Sequence, residues 1–283
     1  MFVWLASYPK SGNTLVRSML SAYYFSSDGV YNFDLIKNIR QFPSAVLFER
    51  EGVDISKEKE ILKNYIKVQE RINKKNSVQF LKTHSYLFNI ENYPFTNLEN
   101  TLGAIYVVRD PRNVVTSLSN HMNISSKEAA KVMIEDYKFG GNLFSDGSDR
   151  TRLYMGTWNG NYNSWKSLKK PKRYLLIKYE DLISSRDLIF RKIIKFLHQL
   201  SGTKFIIDQK KFKKVIQTTD FERLKNLEKT EGFYEAKINP GTGKKIPFFN
   251  LGPKNDWRKI LDSKIKKKIE EAFRKEMKEL GYI

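Results

Sequence analysis

Within its first 25 residues the chain passes from an unbroken apolar run, through a short polar turn, into an amphipathic segment. Phe2 to Ala6 form the run, the pattern of a strand buried on both faces of a parallel sheet. Beyond the turn, Leu15, Val16, Met19, Leu20 and Tyr23 recur at helical spacing, with Asn13 or Thr14 placed as the cap. The unit is strand, loop, helix. It returns at 102–118, where LGAIYVVRD supplies the strand and DPRNVVTSL opens a helix capped by Asp110 with Pro111 in its first turn. Short strands are predicted at 78–82 and 174–179, and helices at 57–72, 126–138, 151–169, 186–198 and 262–280. Alternating strands and helices predict one α/β domain over 1–283, a central parallel β-sheet flanked by helices on both faces. Ligands of such sheets bind outside the carboxyl ends of the strands, and every polar motif below falls at such an end.

The polar turn holds Lys10 and Gly12 between the two elements. A loop of this kind aims backbone N–H groups and a helix N-terminus at one spot, which suits a phosphate-like anion. It is not a Walker A sequence, because Lys10 precedes Gly12 and only one glycine is present. That order weakens a P-loop nucleotide or small-molecule kinase reading without weakening anion binding. A plain connection with Gly12 serving the turn remains the alternative for the loop taken alone.

Charge points the same way but less sharply. Lys plus Arg number 51 against 31 Asp plus Glu, a formal +20, enough to attract polyanions and anionic small molecules alike. A basic nucleic-acid-binding protein is therefore a rival reading, although no binding module of that kind is recognisable. The lysines are scattered, as in KKPKR at 169–173, QKKFKK at 209–214 and KIKKK at 264–268, which fits solvated helix faces. There is no cysteine, so disulfides and thiolate metal sites are absent, as expected of a reducing, cytoplasmic compartment. No basic leader precedes the first apolar run, and no stretch approaches the ~20 apolar residues of a spanning helix, so a soluble protein without a membrane span is expected.

Five motifs in order, YPKSGNT at 8–14, LKTH at 81–84, VVRDPRNVVTSLSNH at 107–121, KYEDL at 178–182 and GPKNDWRK at 252–259, resemble the sulfotransferases that use 3′-phosphoadenosine 5′-phosphosulfate (PAPS). The resemblance covers nearly the whole chain and is to the cytosolic type, with a bacterial member implied. It implies a P-loop nucleoside-triphosphate-hydrolase-like fold with a modified phosphosulfate-binding loop. It also implies in-line transfer of a sulfuryl group to a hydroxyl, or less readily an amine, leaving adenosine 3′,5′-bisphosphate (PAP) and requiring no metal. The acceptor would be a small molecule or carbohydrate, with no specific nucleic-acid partner.

The resemblance also assigns roles. Lys10, Ser11, Gly12, Asn13 and Thr14 would wrap the 5′-phosphosulfate, with Lys10 stabilising the departing phosphate oxygen, because sulfuryl transfer spreads charge over equatorial oxygens and the leaving group. His84 matches the general base, and Lys82, on the same face of one strand, would add charge beside the transferring group. Arg109 and Ser117 match the residues used on the 3′-phosphate. Tyr179 would lie against the adenine end, and TTDF at 218–221 faintly resembles another nucleotide-contacting stretch, placing Thr219 and Phe221 near the base. His121 and His198, at helix ends, read as structural; so do Trp158 and Trp165.

Two positions depart from the animal and plant pattern. Leu15 stands where a tryptophan often stacks on adenine, leaving aliphatic contact at best. Asn250 and Leu251 replace an Arg-Lys pair before Gly252, and Lys254, or Lys244 and Lys245, are candidate replacements for that charge. The acceptor is not readable from sequence. Pocket walls are expected at 25–50, 85–100, 138–150 and 230–247, segments carrying Tyr86, Phe88, Phe139, Phe233 and Tyr234. Oligomeric state is left open.

Overall fold

The computed structural model describes residues 1–73, 77–135, 153–169, 172–239 and 241–283. Part of the helix expected at 126–138, the wall expected at 138–150 and Phe139 lie outside the described residues. Strands β1 (Phe2–Ser7), β2 (Arg40–Gln41), β3 (Gln79–Thr83), β4 (Asn89–Ile90), β5 (Tyr93–Pro94), β6 (Thr101–Val108) and β7 (Tyr174–Lys178) follow in chain order. Five of them form a parallel sheet in the order β2-β3-β1-β6-β7, and β4 and β5 make a small antiparallel pair.

Alternation along β1 divides the interior into two cores, as the pleat requires. Phe2, Trp4 and Ala6 face one core, shared with helix α3 (Glu58–Ile72), helices α4 (Pro111–Met122) and α5 (Ser126–Ile134), and α6 (Trp158–Trp165). Val3 and Leu5 face the other, with α1 (Asn13–Phe25), α8 (Arg186–Ser201) and α9 (Gln209–Thr218). Trp4 and Trp165 are fully buried with their indole N–H groups satisfied, by the Thr101 hydroxyl at 2.9 Å and the Ser85 carbonyl at 3.0 Å. Both are core residues, and truncating either to Ala would cost about 3–5 kcal/mol.

Register aligns the strand ends. Ala6 pairs with Thr83, Ser7 with Val107, and Val108 with Lys178. The segments carrying Lys10, His84, Arg109 and Tyr179 consequently leave the sheet at one edge, one to three residues past their strands.

Several boundaries differ from the sequence expectation. Helix α1 begins after Gly12 with no side-chain cap, because the Asn13 carboxamide turns inward and donates to the Leu5 carbonyl at 2.8 Å. The helix expected from 151 starts at Trp158 under a Thr157 cap; Gly156, at φ +63°, is left-handed and interrupts any earlier turn. The C-terminal helix is two, α12 (Ser263–Ala272) and α13 (Arg274–Glu279). Helices α2 (Ala45–Arg50), α7 (Tyr179–Ser184), α10 (Phe221–Glu231) and the one-turn α11 (Trp257–Ile260) were not expected. The lysine-rich run 209–214 opens α9, which buries Phe212 and Val215 and leaves Lys210, Lys213 and Lys214 exposed. Among the described residues no helix is long and apolar enough to cross a membrane.

Candidate active site

A cleft of about 610 Å³ opens at the carboxyl edge of the sheet. The loop after β1 forms its floor. Lys10 takes a left-handed φ of +64° and Gly12 one of +101°; a Cβ on Gly12 would stand 2.5 Å from the Tyr179 ring, so only glycine lets the loop pass beneath that tyrosine. With no side-chain cap on α1, its first-turn N–H groups have no side-chain partner among the described residues, the arrangement that receives an anion.

Lys10 lies with its ammonium 3.9 Å above the Phe248 ring. Burial pushes its pKa down to about 7; Glu235 opposes the shift, and Lys82 and Arg109 add to it. The amine therefore titrates near neutrality, so an arriving anion would restore its charge.

His84 follows β3, and its Nδ1 lies 2.9 Å from the Ser7 carbonyl oxygen. A carbonyl only accepts, so Nδ1 carries the proton and Nε2 keeps its lone pair. The Ser7 hydroxyl sits 3.2 Å from the same nitrogen. Burial, with Lys82 and Lys10 assisting, pushes the imidazole down to about 3, which keeps it neutral at physiological pH. His121 lines the cleft as well, edge-on to Phe248, and is pushed down to about 2 mainly by burial. His198 instead bonds the Thr203 hydroxyl at 2.7 Å, away from the cleft.

Arg109 is buried and spans the cleft floor, donating to the Lys10 carbonyl at 3.3 Å and the Gly252 carbonyl at 3.1 Å, while its guanidinium lies 4.2 Å above the Tyr179 ring. Among the described residues it has no carboxylate partner, and its Nε–H is unsatisfied. Asp110, next to it, is engaged elsewhere: it caps α4 and pairs with Arg112 at 2.7 Å. A buried guanidinium without a counter-ion costs several kcal/mol in isolation, which a bound anion would offset. Ser117 stands on the face of α4 that lines the same cleft.

Gly252, at φ +53°, is covered by Phe221, whose ring would lie 2.1 Å from an added Cβ. Phe221, Leu15, Thr14, Asn250 and Leu251 all line the cleft. Ser11 is fully buried beneath the loop and does not. Thr219 is also fully buried, with its hydroxyl donated to the Val215 carbonyl at 2.7 Å, so its side chain does not reach the site. None of the candidate replacement lysines reaches the cleft. Lys254 points outward to Glu222 at 3.1 Å, while Lys244 and Lys245 line a separate shallow pocket. Phe88 and Phe233 are core residues, and the segment 85–100 contributes no cleft lining.

Sequence reasoning missed an ion cluster in the cleft wall. Arg17 of α1 pairs with Glu235 at 2.5 Å, and Lys82 Nζ lies 3.2 Å from the same carboxylate. Arg17 also donates to the Tyr234 hydroxyl at 2.7 Å and the Ile39 carbonyl at 2.9 Å. Burial alone would raise the Glu235 carboxyl; Lys82 and Arg17 overcome it and hold the group well below the carboxylate range. Lys82 therefore lines the cleft already paired. The one local signal for this cluster was a charged Arg17 within the otherwise apolar face of α1; nothing marked Glu235, 218 residues away. Among the described residues no three His, Asp or Glu side chains gather as a metal-binding group.

The chain matches the family model described as a sulfotransferase domain over residues 2–281. Sulfotransferase 1E1 of Homo sapiens is 25% identical, with 97% of this chain and 83% of that protein covered. Flavonol 3-sulfotransferase of Flaveria bidentis is 22% identical over 99% of this chain and 83% of its own length. Among solved structures, mouse sulfotransferase SULT7A1 complexed with PAP superposes with a TM-score of 0.59 at 20% identity, covering 98% of this chain and 84% of that one. Retinol dehydratase in a complex with retinol and PAP gives 0.60 at 17% identity, covering 98% and 81%.

Proposed function

The chain belongs to the sulfotransferase domain family and is a PAPS-dependent sulfotransferase acting on a small-molecule acceptor, and from that premise we propose which of its residues carry the reaction. The observation that carries the proposal is the shared cleft of Lys10 and His84, with the imidazole proton held on Nδ1 by Ser7. The residues present fit a doubly anionic adenine nucleotide. The uncapped start of α1 and the partly desolvated Lys10 suit the 5′ end, and the unpaired Arg109, with Ser117, suits the 3′-phosphate. Bound there, PAPS supplies the sulfuryl group and the phosphate that leaves.

The chain's own contribution follows from charge and geometry. Lys10 holds positive charge beside the leaving phosphate, in a site where burial strengthens it relative to water. His84 Nε2 accepts the acceptor hydroxyl's proton, a role typically worth ~10²- to 10⁴-fold. Nucleotide charge raises the basicity of this imidazole above its value in the free enzyme, because anions favour the imidazolium. Tyr179 and Phe221 flank the loop and the Gly252 turn as the walls for the base. Lys82, held by Glu235, lines the same cleft and adds charge beside the transferring group.

Thermal unfolding against a nucleotide panel tests the reading. PAP at ~100 times its Kd should raise Tm by ~5 °C, with AMP and ATP plus magnesium giving less. Stabilisation by ATP plus magnesium and none by PAP would overturn it.

A further inference from the structure

The cleft extends beyond His84 to a wall made by β2 and α2. Register puts Arg40 beside Leu81 and Gln41 beside Lys82, three and two residues before His84, and Arg40, Gln41 and His84 all line the cleft. On α2, Val46 and Arg50 are four residues apart and share a face; both line the cleft, and Val46 is 49% exposed there. Leu47 and Leu153 line the same cleft and add apolar surface to it.

The charges of the lining do not balance. Among the described residues Glu235 is its sole acidic member, and it is taken by Arg17 and Lys82. Lys10 and Arg109 are allotted to the nucleotide, and Lys37 has Asp34 at 2.6 Å. Arg40 and Arg50 have no ion pair among the described residues, and β2, which carries Arg40, flanks β3 on the side away from the nucleotide loop after β1. Two unpaired guanidiniums and an apolar lining in the cleft that holds His84 match a ligand with an anionic group, a short apolar body and a reactive hydroxyl.

We infer that Arg40 and Arg50 form an anion subsite that selects hydroxyl acceptors carrying a carboxylate, the apolar body lying on Val46, Leu47 and Leu153 with its hydroxyl at His84. The inference rests on the sulfotransferase reading above. Both arginine side chains are exposed to solvent, and their planar guanidinium forks favour carboxylates over neutral isosteres.

The test uses the full-length protein saturated with PAP and matched probes, hydroxyphenyl-alkanoic and ω-hydroxyalkanoic acids of graded length, each beside its neutral amide. Calorimetric titration should give at least tenfold tighter binding of an acid than its amide at one chain length. That preference should fall at least fivefold in Arg40→Gln plus Arg50→Gln and stay unchanged in Lys210→Gln plus Lys213→Gln, which removes equal charge from an exposed face of α9. PAP-induced stabilisation should be the same in all three proteins. Equal binding of acids and amides, no binding of any acid at millimolar concentration, or a preference that survives the double arginine substitution each overturns the inference while PAP still binds. Failure of PAP to bind the unsubstituted protein overturns the nucleotide reading itself, and this inference with it.

Discussion

The His84 imidazole is tethered through Nδ1 to the Ser7 carbonyl oxygen at 2.9 Å, across a sheet register that joins residues 77 apart in sequence. The tether orients Nε2 without using a carboxylate, so the ring remains neutral and available. Ser7 is also the last residue of β1, immediately before the loop that carries Lys10. One backbone position thus sets both the base and the anion loop.

Replacing His84 by Ala removes the proton acceptor but none of the proposed nucleotide contacts. Turnover should fall ~10²- to 10⁴-fold, with PAP affinity within about twofold of the parent protein. Steady-state kinetics paired with calorimetry check it, and retained turnover would remove His84 as the base.

Lys10 gives a protonation signature. With a pKa of about 7 in the free protein, its amine is mostly neutral near pH 8, and nucleotide phosphates restore the ammonium. PAP binding near pH 8 should therefore take up close to one proton, read from titrations in buffers of different ionisation enthalpy. The uptake should vanish in Lys10→Met.

Arg109 separates a 3′-phosphate from its absence. A charge-assisted contact to a buried anion is worth about 1.5–3 kcal/mol, so Arg109→Ala should narrow the PAP-over-AMP preference by about 10- to 100-fold. Arg109→Lys should restore part of it, since charge returns without the planar fork. An unchanged preference would move the 3′-phosphate site elsewhere.

Acid should unfold the protein through its buried histidines. His84 and His121 fall from 6.5 to about 3 and about 2, so below pH 6.5 the unfolded chain binds protons that the folded chain does not. Stability present above 6.5 is lost as pH falls toward those values, and the depressed Glu235 acts in the same direction below its ordinary 4.5. Urea midpoints should drop through this range, and His84→Gln plus His121→Gln should flatten the drop between pH 6.5 and about 5. Glu235→Gln should cost about 3 kcal/mol at neutral pH, because Arg17 and Lys82 would remain buried without their carboxylate.

Local pattern was enough for the elements that bury themselves and turn at once: the apolar run of β1, the Lys10–Gly12 turn, the stripe of α1, and Asp110 with Pro111 at the start of α4. These are short-range facts, set by hydrophobic period and by which residues tolerate a left-handed or capping backbone. The motif resemblance added which strand ends matter, and register brings Lys10, His84, Arg109 and Tyr179 to one edge. Short or half-polar elements escaped. The two residues of β2 carry no period, and the lysines of α9 mask the buried Phe212 and Val215. Charge pairing was beyond sequence altogether. Whether a lysine is tied, as Lys82 is to Glu235, turned outward, as Lys254 is, or titrating in a cleft, as Lys10 is, depends on neighbours supplied from distant parts of the chain. Coulomb energy and desolvation act through space, while spacing along the chain records only what the backbone can do locally.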